Sequence, residues 1–182
     1  MSASWKSSIP HRLPLLAITV MLSLMATEGC IRSASDTEQK EFEAYIGSIN
    51  PVMRRHADTT EEGNNANLYF QQQFPGQPPA TQLQLLDNYI TELRRAVPRL
   101  REDVDEVQRI APPIPAIPFH KKFIEALIYD HAGMTETLMF YEGVAATGVG
   151  DPLVLEHANS QFLKGRLAIA EGTSLLRSLV KR

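Results

Sequence analysis

The chain has one cysteine in 182 residues, Cys30, so no disulfide can close within it and the fold rests on its buried core alone. It also has no excess of positive charge. With 18 basic against 21 acidic residues it lacks the basic surface that a nucleic-acid partner needs. Sequence motifs that carry chemistry are missing as well. There is no glycine-rich phosphate loop, no His-Glu-x-x-His zinc motif, no Cys-x-x-Cys-His haem attachment and no Gly-x-Ser-x-Gly elbow. No Glu-x-x-His occurs either, which excludes the ligand pattern of di-iron carboxylate bundles. No nucleophile has a readable base beside it, and the sequence reads as that of a non-enzyme.

Residues 1–27 contain no Asp or Glu, place Lys6 and Arg12 ahead of the apolar run Leu13 to Ala26, and lead into Thr27-Glu28-Gly29-Cys30. That is the order of an export signal. The run is too short for a membrane span, since its helix would reach only about 21 Å against a hydrocarbon core of about 30 Å. With Gly29 before Cys30, the segment resembles the signal of bacterial lipoproteins, with Thr27 and Glu28 standing where that family prefers Leu and a small residue. The resemblance implies a signal peptide over 1–29, acylation of Cys30, a tether over 30–35 and a helical domain over 36–182. Ile31 after the cysteine, in place of Asp, implies outer-membrane delivery facing the periplasm. An ordinary signal peptide cleaved near Ser33-Ala34-Ser35 gives export without the lipid. Losing residues 1–29 removes two basic residues and one acidic residue, leaving a net charge of −4 and no polybasic patch, so membrane contact would come through the acyl chains.

The remainder predicts an all-α fold, an up-and-down four-helix bundle with a long polar loop between the first and second helices. A capping box at Ser35 and Glu38 starts the first helix, and Phe42, Tyr45, Ile46 and Ile49 give it an apolar face that Asn50-Pro51 kinks or ends. Asp58 to Pro79, rich in Asn, Gln, Gly and Pro, predicts the loop. From Leu83 to Ala111 apolar residues recur at steps of three and four, a heptad stripe that keeps phase across Pro98 and predicts one kinked helix. Its charges predict a solvated face with Arg99–Asp103, Arg101–Asp105 and Asp105–Arg109 pairs. Four prolines over 111–118 predict an extended spacer. A helix from Phe119 to about Glu142 follows, then one from Pro152 to the C-terminus, whose Ala158, Gly165 and Gly172 form a seam for close helix approach.

One cluster of chemistry-bearing residues stands out, His120, Glu125, Asp130 and His131 on the third helix. His120 and His131 lie roughly 16 Å apart along such a helix, too far for one metal. His157 on the last helix can meet His131, and that pair is the basis of an alternative reading as a haem- or metal-binding bundle. The leading reading is a lipid-anchored, non-catalytic binding or scaffolding module for another envelope protein, with no cofactor.

Overall fold

The computed structural model describes residues 36–180. Four helices account for nearly all of them, α1 (Asp36–Gln73), α2 (Pro79–Arg109), α3 (Ile117–Thr147) and α4 (Pro152–Val180), and no strand occurs among the described residues. The export signal, Cys30 and the Ser35 cap lie outside the described residues.

The expected loop from Asp58 to Pro79 is corrected by α1. This helix runs unbroken for 38 residues through Pro51, so the stretch is helical as far as Gln73 and only residues 74–78 connect to α2. The cause is a buried stripe with few apolar members. Ile49, His56, Gly63 and Phe70 are all buried and fall at successive heptad positions, while Tyr45, Val52 and Thr59 form the second track. Burial of that stripe outweighs the poor helix propensity of Asn and Gly and the amide lost at Pro51, because packing supplies most helical stability. Along this stretch Phe70 is buried, whereas Leu68 and Tyr69 are exposed.

α2 holds its register through Pro98, as expected, and starts four residues ahead of Leu83 on Pro79, whose missing amide costs nothing in a first turn. The proline-rich joint is shorter than expected. Ile114–Ala116 close a 3-10 turn through the Ala116 amide on the Pro113 carbonyl at 2.8 Å, and α3 begins at Ile117. Fully buried Ala116 explains why the chain turns there rather than running on. α3 continues past Glu142 because Val144 is buried, and it stops at Gly148, whose φ of 76° suits glycine and lets its amide reach the Val144 carbonyl.

Cross-helix contacts fix the registers. Arg55 meets Asp103 and Glu62 meets Arg99, so α1 and α2 run antiparallel. α2 and α3 do likewise through Arg94 and Glu142, with Tyr89 and Tyr141 4.9 Å apart at the same end. α3 and α4 pair antiparallel through Glu136–His157 and Lys122–Glu171. α1 and α3 touch in parallel, at Tyr45–His120, His56–Asp130 and Phe70–Tyr141. The glycine seam of α4 faces α3: a Cβ on Gly165 would lie 2.5 Å from Asp130 Oδ1 and 3.4 Å from the Ala126 carbonyl. Only glycine admits that approach.

The buried apolar residues fall into two clusters. One holds Ile49, Val52, Val104, Val107, Phe119, Leu127, Ile169 and Leu176, drawn from all four helices. The other holds Phe70, Leu86, Ile90, Leu93, Leu100, Met134 and Val144. The two clusters meet at a polar layer.

Candidate functional site: a buried histidine between two carboxylates

Three helices each place an ionisable side chain where the two cores join. On α2, Asp103 falls between Leu100 of one cluster and Val104 of the other, and on α3, Asp130 falls between Leu127 and Met134. His56 of α1 completes the layer. His56 and Asp103 are each 2% exposed, which removes them from water and makes their partners decisive. The His56 Nε2 donates to Asp130 Oδ2 at 3.0 Å, since a carboxylate can only accept. On the other side of the ring, Nδ1 faces Asp103 Oδ2 at 3.9 Å, and neither of these two atoms has a hydrogen-bond partner.

Arg55 closes the layer toward solvent. Its Nε and Nη2 both donate to Asp103 Oδ1, at 3.2 and 3.1 Å, and Nη2 also reaches Glu106. Burial pushes the Asp103 carboxyl above its ordinary value and outweighs the attraction of His56 and Arg55, with Glu106 adding to the rise. Gly165 of α4 supplies the room that Asp130 occupies. The layer therefore ties α1, α2 and α3 together by charge and hydrogen bonds, and α4 by shape. The expected Arg99–Asp103 surface pair is corrected here: Asp103 turns inward to Arg55 and His56, and Arg99 pairs with Glu62 at 2.8 Å. The Arg101–Asp105 pair is present at 3.2 Å.

The residues singled out on α3 take separate partners and form no common site. His120 Nδ1 lies 3.1 Å from the Tyr45 hydroxyl, Glu125 pairs with Lys122, and Asp130 takes His56. Burial lowers the His120 pKa and raises that of Tyr45, so a neutral ring meets a neutral hydroxyl. His131 is half-buried, and its pKa is lowered by burial and by Arg101 of α2, with Asp105 opposing. His157 does reach α3, but its Nδ1 sits 2.8 Å from Glu136 Oε1, and Gln161 caps its other nitrogen at 3.3 Å. The two histidines of the cofactor alternative thus engage different partners. Among the described residues no group of three or more His, Cys, Asp or Glu side chains is arranged to hold a metal ion.

A pH dependence follows from His120 and His131. A histidine whose folded pKa is depressed contributes stability that is present above its unfolded value of about 6.5 and is lost as pH falls through the folded value. Thermal melts are expected to shift downward between pH 7 and about 5.5, and by less in His120→Asn. Asp103 has the opposite sign, because its raised pKa favours the fold as the carboxyl protonates, and it acts at the lower, carboxylate end of the range. Melts that are flat over the histidine range, or equal in slope for wild type and variant, contradict the burial of a neutral His120.

No helix among the described residues is long and apolar enough to cross a membrane. Comparison with protein-family models, with curated proteins and with solved structures returns no match.

Proposed function

We propose that this chain is an exported, lipid-anchored helical protein that serves as a non-catalytic binding or scaffolding module in a bacterial cell envelope, in the outer membrane and facing the periplasm. The domain is an up-and-down four-helix bundle, with α1 and α3 on one diagonal. Residues 1–29 are the signal, Cys30 carries the acyl chains, and residues 30–35 form the tether. Six tether residues reach at most about 20 Å, and α1 rises about 57 Å beyond them. The bundle is then a spacer that holds its far end away from the bilayer, where another envelope component docks.

The observation that carries the non-catalytic reading is how the histidines between helices are used, His56 and His120 in the interior and His157 at the surface. His56, His120 and His157, the residues chemistry would recruit first, are each bonded to a side chain of another helix, Asp130, Tyr45 and Glu136. The two buried bonds, of His56 and His120, set which helices meet and in what register, the best-attested use of buried polar groups.

Intact-mass analysis of the membrane fraction, comparing wild type with Cys30→Ala, tests the anchor. The expected wild-type species begins at Cys30 and carries acyl mass, and the variant moves to the soluble fraction. An unmodified product cut elsewhere contradicts lipidation and leaves a secreted helical domain.

A further inference from the structure

Between the C-terminal half of α1 and the first half of α2 lies an open groove of about 430 Å³, within the range of small-ligand sites. Its floor is Phe70 stacked on Tyr89, with centroids 5.0 Å apart and planes at 16°, both rings buried. Tyr69 lines the rim and is 59% exposed. Asn88, Glu92 and Arg95 complete the wall, and the last two already bond to each other at 2.8 Å. The charges of the wall are therefore internally compensated.

The chain around the groove has the same character, since no charged residue occurs from Gly63 to Leu86. A charged ligand would give up hydration here and find no free counter-charge, so the groove favours a neutral one. The side chains also specify hydrogen-bonding type. Asn88 offers both donor and acceptor, Glu92 accepts and Arg95 donates, so a ligand that satisfies them carries groups that do both, as hydroxyls do. Tyr69 adds a flat apolar face with a polar tip, which suits a ligand with one C–H face and a polar edge. We infer that this groove binds a neutral saccharide, with a pyranose ring on Tyr69 and its hydroxyls on Asn88, Glu92 and Arg95. The inference deepens the binding-module reading by naming a ligand class and a location. Phe70 stands 34 residues along α1 from Asp36, so the site lies about 51 Å from the tether's entry, accessible to a glycan beyond the membrane surface.

The test uses the full-length chain in a detergent without a sugar headgroup, titrated calorimetrically with cellotetraose, maltotetraose and the N-acetylglucosamine tetramer, and with a galacturonic acid tetramer as the charged counterpart. At least one neutral tetramer is expected to bind with a millimolar or better Kd. Tyr69→Ala weakens it about tenfold and Asn88→Ala several-fold, while Leu83→Ala, exposed and outside the groove, changes nothing. Both groove residues are exposed, and unchanged circular dichroism verifies the variants. Lack of binding by all three neutral sugars overturns the inference, as does binding that survives Tyr69→Ala and Asn88→Ala, or stronger binding of the acidic tetramer. The result is independent of Cys30→Ala, so the groove and the anchor fail separately.

Discussion

His56→Ala is expected to destabilise the fold by about 3 kcal/mol, lowering the thermal midpoint by roughly 6–12 °C. The ring is 2% exposed and is the group that Asp103 and Asp130 share. Its removal leaves two carboxylates facing a void, and the Asp103 side chain, at 3% exposed, has no water to turn to. Arg55 can compensate only partly, because both of its bonds fall on the other oxygen, Oδ1. Without the attraction of His56 the Asp103 carboxyl titrates higher still, so the variant is expected to recover stability on acidification more than wild type does. His56→Leu separates charge from volume: it fills the void but supplies no proton to either carboxylate, and a similar loss is expected. Chemical denaturation with matched m-values measures both. A cost below about 1 kcal/mol for His56→Ala would mean that the layer is open to solvent.

Phe119→Ala is expected to cost about 4 kcal/mol, as for a fully buried aromatic. Phe119 is fully buried in the cluster to which all four helices contribute. Its ring meets Tyr45 edge-on at 6.4 Å and stacks on Phe123 at 6.1 Å, and it lies against the Gly172 backbone of α4. Truncation leaves a cavity at the junction of α1, α3 and α4. Tyr45 also loses a wall of its pocket, so the bond to His120 loosens. The variant is expected to show a shallower dependence on pH across the histidine range as well as a lower denaturation midpoint. Phe119→Leu restores part of the volume and is expected to recover more than half of the loss, as a cavity-dominated cost requires. Equal losses for the two variants would point to the aromatic contacts instead.

What was legible in the sequence depended on how purely apolar each stripe is. α2, α3 and α4 bury Leu, Ile, Val, Phe and Ala at helical spacing, and the expected helices at Leu83–Ala111, Phe119–Glu142 and Pro152 onward match them to within a turn or so at most ends. The second half of α1 was hidden because its buried track passes through His56, Thr59 and Gly63. Hydrophobicity finds nothing there, and the Asn, Gln and Gly content reads as loop. The heptad interval linking Ile49 to His56, Gly63 and Phe70 was the available signal. Asp103 was misplaced for the same reason. It sits among charged neighbours on a helix with a solvated face, yet it lies one heptad beyond buried Ala96 and two beyond buried Tyr89, which puts it on the core-facing track. Asp130 stands out in the sequence, but its partner His56 lies beyond Asn50-Pro51, 74 residues away, and no local spacing links the two. The seam of Ala158, Gly165 and Gly172 was readable because small residues at heptad spacing have one strong use, and α3 packs there.

The polar layer is one coupled unit joining α1 to α3, rather than three polar residues that happen to be neighbours. A double-mutant cycle on His56→Ala and Asp130→Ala, read from denaturation midpoints at pH 7, tests it most directly. Their 3.0 Å bond predicts a coupling energy of about 1–3 kcal/mol, with the second substitution costing far less once the first is made. Losses that simply add would contradict the claim, and would show that His56 and Asp130 contribute independently to a core that does not depend on their meeting.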